Sequence, residues 1–244
     1  MATSINTNYG AAVALQSLNK TSQQLETTQN RISTGMKVSS AKDNGAIFAI
    51  ATSQRATAAS QDAVRAGLQR TQSITDVALA AGDTITSALE EMKSLSVSIA
   101  SSTGSAQTAY LADFNALGTE IASAITGASF DSVNSLTTPL ASLSTLTAGN
   151  LAAGAATTAA VDTAIGTVTG ALATLGTQSK SLGRQITFVN KLQDALEAGV
   201  GNLVDADLAK ESAKLTALQT KQQLGVQALS IANQGSSILL GLFR

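Results

Sequence analysis

The chain contains no histidine, no cysteine and no tryptophan, and only one proline among 244 residues. Without histidine and cysteine, the usual zinc sites, cysteine nucleophiles and Ser-His-Asp triads are excluded. Carboxylate chemistry remains, but the pairs Glu90-Glu91 and Asp205/Asp207 fit a solvated helix face and a helix N-cap better than a catalytic pair. We therefore predict no catalytic, cofactor-binding or metal-binding residue and no enzymatic activity.

Charged side chains are scarce as well, at 13% of the chain, with a net charge of −1. Only Lys180, Arg184 and Lys191 are positive between Ser94 and Ala209. A nucleic-acid binder needs a basic face with aromatic platforms, and this composition predicts none. A nearly neutral surface favours self-association instead.

The C-terminal stretch from Asp205 to Arg244 has the clearest pattern in the chain, because it carries two apolar rows at heptad spacing. The first row is Leu208, Leu215, Leu218, Gln222, Gly225, Leu229, Ala232, Ser236, Leu239 and Phe243. The second row is Leu224, Ala228, Ile231, Gly235, Ile238 and Leu242. A helix with two apolar rows is covered on two sides, so we predict that other chains cover this one. Its many Gln, Ser and Asn side chains exclude membrane insertion.

The N-terminal stretch from Met1 to Asn19 carries no charged side chain, and neither does the run from Gln222 to Phe243 near the other end. The heptad row that follows is Ala11, Leu15, Leu18, Ser22, Leu25, Gln29 and Ile32. Two uncharged ends with matching heptads predict a coiled-coil pair, although an ordinary bundle helix fits the row equally well. Gly35 is expected to end the helix. The N-terminus lacks the basic segment and compact apolar core of a cleavable signal.

Between the two ends the pattern predicts three more helices and one small insert. A long helix starts near Ala41 and spans about 75–90 Å at 1.5 Å per residue. Its heptad row is Ile50, Thr57, Val64, Thr71, Ala78, Ile85, Met92 and Ile99. After a break at Ser101–Ser105, a third helix covers Ala106–Thr126, with Tyr110, Phe114, Leu117, Ile121 and Ile125 on one side.

The insert at 130–156 is rich in Ser, Thr, Ala and Gly and holds Pro139. It suits a hairpin or turns better than a core, so replacing residues at 137–149 is expected to matter little. Helical periodicity returns from Thr157 to about Glu197, and the run Gly199–Asn202 is expected to break it. Asp205 or Asp207 then caps the last helix.

These elements predict a mainly α fold. The chain goes out along helices, turns at the insert and returns, giving a long antiparallel helical hairpin or coiled-coil rod with paired terminal helices. We divide it into 1–37 with 205–244, the terminal pair; 38–130 with 157–204, the helical rod; and 131–156, a short β-hairpin or loop insert.

Three stretches resemble bacterial flagellin: SINTN near the start, LNKTSQQLETTQNRISTGMKVSSAKDN at 18–44, and QQLGVQALSIANQGSSILLGLFR at the end. The run NLVDADLAKESAKL and the small centre are similar to flagellins of alphaproteobacteria. The resemblance implies a secreted structural subunit that polymerises into the extracellular flagellar filament for swimming motility. It also implies type III export without cleavage, an inner core built from 1–37 and 205–244, and an outer shell built from 38–130 and 157–204.

The partners implied by this resemblance are copies of the chain or other flagellins, an export chaperone, and the junction and cap proteins of the flagellum. No cofactor is implied. A hook–filament junction protein of the same appendage and a non-flagellar coiled-coil adaptor are the alternatives. The predicted assembly interface is Ala11, Leu15, Leu18, Leu25, Ile32, Leu215, Leu218, Leu224, Leu229, Ile231, Ile238, Leu239, Leu242 and Phe243.

The resemblance also extends to the helix that vertebrate Toll-like receptor 5 recognises in many flagellins. Recognised members resemble Leu-Gln-Arg-Val-Arg-Glu-Leu there, whereas this chain reads Leu89, Glu90, Glu91, Met92, Lys93, Ser94, Leu95. Glu91 stands in place of an arginine and Ser94 in place of the glutamate. Because a carboxylate only accepts hydrogen bonds where a guanidinium donates them, weak recognition is implied.

Overall fold

The computed structural model describes the backbone of residues 8–242 and the side chains of residues 8–234. The described residues form five α-helices and one two-stranded sheet, so the predicted mainly α fold with a small hairpin is confirmed. The helices are α1 (Tyr9–Thr34), α2 (Gly45–Ser101), α3 (Gly104–Gly127), α4 (Thr158–Val204) and α5 (Leu208–Leu242). Strands β1 (Ser129–Phe130) and β2 (Val133–Asn134) pair antiparallel, with Phe130 opposite Val133.

The chain divides into two compact units. The terminal unit combines Met1–Ala59 with Asp194–Arg244, and the central unit is Ser60–Gln193. Helices α2 and α4 therefore each contribute to both units. The division of the sequence into three layers concerns the assembled filament and stays a prediction.

In the terminal unit, α1 and α5 pack against each other, which confirms that the two ends of the chain pair. Asn8 caps α1, since its Oδ1 accepts a hydrogen bond from Ala11 N at 3.0 Å. The Asn8 Nδ2 donates to the Ala232 carbonyl at 2.8 Å and so ties the two helices together. Gly35 ends α1 as predicted, with φ of 70°, a left-handed conformation that glycine adopts without a Cβ clash.

The start of α2 lies at Gly45 rather than near Ala41. The reason is a side-chain turn: the Asp43 carboxylate accepts hydrogen bonds from backbone N and Oγ of both Ser39 and Ser40, at 3.0–3.1 Å. Side chains that bond nearby backbone compete with the helix ladder. The Ser39 side chain, then the backbone amides and Ser40, hold the pKa of Asp43 below its ordinary value.

The predicted helix break at Gly199–Asn202 is wrong, because α4 continues through it to Val204. Val200 and Val204 are buried and pack with Val38 and Ala51. That burial offsets the cost of about 1 kcal/mol for each helical glycine. Asp207, and not Asp205, then caps α5, since Lys210 N donates to Asp207 Oδ1 at 3.1 Å.

The long heptad row of α2 is right in its second half and wrong in its first. Ala78, Ile85, Met92 and Ile99 are buried, but Ile50 and Val64 are half-exposed. In the first part of the helix the small residues Ala51 and Ala58 face inward instead, one position along. Hydrophobicity predicted that Ile50 would be buried, whereas the structure buries Ala51.

The insert belongs to the core of the central unit, which contradicts the expectation of a polar, dispensable loop. Leu136, Leu140, Leu143 and Leu146 are all at most 5% exposed and cluster with Phe114. The last three are arranged around a 3-10 turn at Ala141–Thr145. Their spacing is helical, but Ser and Thr between them hid the pattern. The core also includes Ile85, Leu89, Met92, Ile99, Ile121, Val161, Val168 and Leu175.

Gly118 of α3 allows the insert to approach closely. A Cβ at this position would lie 2.4 Å from the backbone carbonyl oxygen of Leu146. The amide of Asn115 adds two bonds to the same region, accepting from Leu151 N at 2.9 Å and donating to its carbonyl at 3.3 Å. The insert is therefore held by backbone contacts as well as by leucine burial.

Helix α4 is long and apolar enough, by length and composition alone, to cross a membrane, with a mean hydropathy of 1.2 in its best window. Core helices of folded proteins meet the same criterion. Val161, Val168 and Leu175 of α4 lie buried in the central unit.

Candidate assembly interface

From Leu215 to Ala232 the first row of α5 faces α1, as its apolar pattern predicted, but its first member, Leu208, is 48% exposed. Leu218 is 7% exposed, and Leu215, Gly225 and Leu229 are partly buried. A Cβ at Gly225 would lie 3.3 Å from Leu18 Cδ1, so the glycine permits close approach of the two helices. This row is therefore covered within a single chain.

The matching row on α1 differs from the predicted one at every second position. Ala11, Leu18, Leu25 and Ile32 are partly buried as expected. The positions between them are Ala14, Thr21 and Thr28, not Leu15, Ser22 and Gln29. Thr21 and Thr28 are 3% and 0% exposed, whereas Leu15 is 49% exposed. Leu15 thus lies outside the contact with α5 and stays a predicted contact with another chain.

The two threonines of this row differ, since the Thr21 hydroxyl has a local hydrogen-bond partner and the buried Thr28 hydroxyl has none among the described residues. Thr21 Oγ1 donates to the Ser17 carbonyl at 2.9 Å, which leaves the methyl group to pack. Small side chains also allow the helices to approach closely. A search for large apolar residues therefore selects the wrong alternate position.

An ion pair closes the α1–α5 contact near the start of α5. Arg31 Nη1 lies 3.1 Å from Glu211 Oε1, with the Glu211 side chain only 12% exposed, and Lys214 Nζ lies 3.7 Å from the other oxygen. Breaking a partly buried pair leaves an uncompensated charge. The pair therefore penalises any sliding of α1 along α5.

The second row of α5 is covered by nothing in the described part of the chain. Leu224 is 58% and Ile231 70% exposed, and Val226 nearby is 54% exposed. Helix α1 also has exposed apolar side chains, at Tyr9, Val13 and Leu15. The flank of α5 beside this row carries Gln223 and Ser230, both exposed and about 80–100° around the helix from Ile231. Exposed apolar rows of this kind are typical of surfaces that bind other proteins, so the prediction that other chains cover this row remains a prediction.

Four residues of the predicted interface lie where the structure gives no side-chain description. Ile238, Leu239 and Leu242 fall in the last turns of α5, and Phe243 follows it. Their part in assembly stays a prediction.

The acidic residues considered as catalytic pairs in the sequence do not form a common site. Glu90 and Glu91 are exposed on α2, Asp207 caps α5, and Asp205 ends α4. Among the residues described, no group of three His, Cys, Asp or Glu side chains could hold a metal ion.

The predicted receptor-facing helix places its residues on different sides. Leu89 is fully buried and Leu95 partly buried, so both belong to the packing of the central unit. Glu90, Glu91 and Ser94 are exposed, and Lys93 Nζ pairs with Asp162 Oδ1 at 2.6 Å. The surface of this helix is therefore acidic, with its one cation paired.

The geometry defines a class of protein: a helical subunit whose two ends form one helix pair and leave apolar side chains of a second row exposed. Comparison with known proteins gives the family. The model of the bacterial flagellin N-terminal helical region matches residues 5–139, and that of the C-terminal helical region matches residues 158–243.

Curated relatives match over the whole chain. Flagellin FljK of Caulobacter vibrioides is 52% identical over 99% of this chain and 98% of its own length. A flagellin of Brucella melitensis is 37% identical and Flagellin C of Rhizobium meliloti 33% identical, each over 99% of both chains. The chain belongs to the bacterial flagellin family and is of the alphaproteobacterial type. It is a structural subunit of the extracellular flagellar filament, in which flagellins polymerise with one another.

Proposed function

We propose that the chain enters the filament through the second row of α5, represented by Leu224, Ala228 and Ile231, together with Leu15 of α1. The observation that supports this is the exposure of Ile231, at 70% in the single chain. Complete burial of one such side chain contributes about 1.5–3 kcal/mol. Every subunit repeats the contact, so the gain recurs along the polymer.

This proposal extends to the rest of the predicted interface. The α1-facing residues Ala11, Leu18, Leu25, Ile32, Leu215, Leu218 and Leu229 hold the helix pair in a form that presents the second row. Ile238, Leu239, Leu242 and Phe243 continue the two rows toward the end of the chain. In the filament, 1–37 with 205–244 forms the inner core, 38–130 with 157–204 the surrounding shell, and 131–156 a short insert.

A single charge on the second row tests the proposal. Ile231→Asp places a carboxylate where a dry contact is expected, at a cost of several kcal/mol. Ser230→Asp adds the same charge on the polar flank of α5, away from the second row, and is the matched control. We expect long filaments from the unaltered chain and from Ser230→Asp, and none from Ile231→Asp, by negative-stain microscopy and sedimentation.

Circular dichroism of the monomers separates folding from assembly. Equal helix content in the two variants, with assembly lost only in Ile231→Asp, supports the proposal. Filaments of ordinary length from Ile231→Asp contradict it, whatever the behaviour of the control.

We infer, further, that the chain works without catalysis, since flagellins are structural proteins. It meets an export chaperone on its way out of the cell and the junction and cap proteins at the ends of the filament. These partners follow from the resemblance of the two termini to flagellin. Pull-down of each partner with the full chain is the direct test.

We also propose that Toll-like receptor 5 recognises this flagellin weakly. The exposure of Glu91 and Ser94 supports this, because both are positioned on the surface where recognised flagellins resemble Arg and Glu. Replacing a donor by a carboxylate against a surface arranged for arginine costs several kcal/mol. A cell reporter assay of depolymerised protein should show a weak response that Glu91→Arg with Ser94→Glu raises. A strong response from the unaltered chain would sink the idea.

A further inference from the structure

A basic and aromatic face lies on α4 within the central unit. Lys180, Arg184, Phe188 and Lys191 recur at i, i+4, i+8 and i+11, which places them on one side of the helix. All four are exposed, and Phe188 is 65% exposed. Aromatic residues make up only 3% of the chain, and arginine with an exposed aromatic ring is typical of protein interfaces.

The cations of this face are unpaired, unlike the other cations of the central unit. Arg65, Arg70 and Lys93 form ion pairs with Asp62, Asp131 and Asp162 respectively. Lys180, Arg184 and Lys191 form no ion pair within the part of the chain that the structure describes. The positive charge of the face is therefore available to a partner.

A row of opposite charge runs along α2 in the same unit. Asp76, Asp83 and Glu90 are exposed and each lies seven residues from the next. Between residues 8 and 242 none of them forms an ion pair, and Asp76 accepts only a 3.4 Å hydrogen bond from Ser179 Oγ. Seven residues correspond to about 10.5 Å along a helix. Arg184 and Lys191 have the same separation, so the two repeats match.

Asp83 and Glu90 cannot reach Arg184 and Lys191 within one chain. The hydrogen bond from Ser179 to Asp76 and the ion pair of Lys93 with Asp162 show that α2 and α4 run antiparallel here. Asp83 therefore lies to one side of the Asp76–Ser179 level and Arg184 to the other. Their axial separation is about 18 Å, beyond the reach of the two side chains.

We propose that this basic face docks on the acidic row of a neighbouring copy, with Arg184 and Lys191 opposite two consecutive carboxylates and Phe188 between them. The inference rests on the proposed assembly into a filament and names a second contact in it, apart from the terminal helices. The occupant is a second copy because a homopolymer places identical units side by side. An axial shift between copies then brings the matching repeats into register.

Charge reversal tests the contact. We compare Arg184→Glu/Lys191→Glu, Asp83→Lys/Glu90→Lys and the chain carrying all four changes. The control is Asp113→Lys/Glu120→Lys on α3, where both residues are exposed and outside the row. The measurement is the critical concentration for polymerisation at low salt. Each double variant should raise it about tenfold, because attraction becomes repulsion at two sites.

The variant with all four changes should have a critical concentration within about threefold of that of the unaltered chain. The α3 control should have nearly the same critical concentration as the unaltered chain, because exposed charges contribute little to stability. A mixture of the two double variants should co-polymerise where each alone assembles poorly, since a reversed α4 face then meets a reversed α2 row. Added salt should reduce all these differences.

Several outcomes overturn the inference while leaving the proposed function intact. One is normal critical concentrations for both double variants; another is failure of the four-fold variant to recover. Loss of assembly in the α4 variant alone would indicate a different acidic partner and would also overturn it. Monomer unfolding in urea identifies any misfolded variant; Arg184→Gln/Lys191→Gln then replaces it, with a smaller expected rise. Failure of the unaltered chain to polymerise would instead contradict the proposed function.

Discussion

Replacing Gly118 by alanine should lower the free energy of unfolding, whereas the same replacement at an ordinary helical glycine raises it. In the interior of a helix, Gly→Ala stabilises by up to about 1 kcal/mol through backbone propensity. At Gly118, however, the new Cβ would lie 2.4 Å from the carbonyl oxygen of Leu146. That oxygen belongs to backbone held by buried Leu143 and Leu146, so it cannot move aside as the end of a flexible side chain would.

The magnitude follows from the two opposing effects. Overpacking a tight contact costs typically about 1–3 kcal/mol, and a clash with fixed backbone belongs at the upper end of that range. After the propensity gain is subtracted, Gly118→Ala should lose about 1–2 kcal/mol. Gly166 on α4 has no heavy atom within 4 Å of its would-be Cβ and is exposed. Gly166→Ala should therefore gain about 0.5–1 kcal/mol.

Urea unfolding of the monomer followed by circular dichroism measures both changes. The decisive quantity is the difference between the two midpoints at unchanged slope, since the same substitution on two helices should move them in opposite directions. If Gly118→Ala is as stable as Gly166→Ala, the close approach of α3 to the insert does not exist in solution.

Three further predictions follow from the fold and the resemblance. Leu143→Ala should destabilise the monomer by about 2–5 kcal/mol and exposed Ser144→Ala by less than about 0.5 kcal/mol, as urea unfolding would show. Equal effects of the two substitutions would contradict the burial of the insert in the core. Because Asp43 has a depressed pKa, its contribution is present above the ordinary value of 3.8 and is lost as pH falls through the lower folded value. The protection of the Ser39 and Ser40 amides, expressed as the exchange rate relative to an unstructured peptide at the same pH, should therefore fall only in acid, and unchanged protection there would contradict the turn. Export without cleavage predicts that the intact mass of filament protein shows no N-terminal loss beyond Met1, and a larger loss would refute it.

The pairing of the chain ends could be predicted because two independent signals agreed. The charge-free termini and their heptads both required an apolar partner, and the first row of α5 does face α1. The choice between Leu15 and Ala14 could not be made, since heptad spacing alternates three and four residues and either order fits Ala11, Leu18 and Leu25. Only the structure shows that Ala14 and Thr21 pack inward and that Leu15 is half-exposed.

Tertiary contacts explain why the sequence failed to predict the continuation of α4 and the burial of the insert. The glycines near Val200 have poor helix propensity, but burial of Val200 and Val204 carries α4 past them. In the insert, Leu140 and Leu143 had helical spacing within a Ser/Thr-rich segment, and composition outweighed the four-residue pattern. The exposed second row of α5 was predictable as apolar, while its lack of cover in one chain required the packing of α1.

The joint between Gly35–Val38 and Val204–Ala206 has a mechanical consequence. The Val204 carbonyl accepts from Lys37 N at 2.6 Å and Val38 N at 3.2 Å, and Ala206 N donates to the Gly35 carbonyl at 2.9 Å. The two stretches of chain that leave the α1–α5 pair, one toward α2 and one from α4, are thus fastened at the same level. When a rotating filament applies torque, neither stretch can twist without dragging the other. The two hydrogen-bonded segments therefore share the load, and the joint twists less than a single flexible linker would.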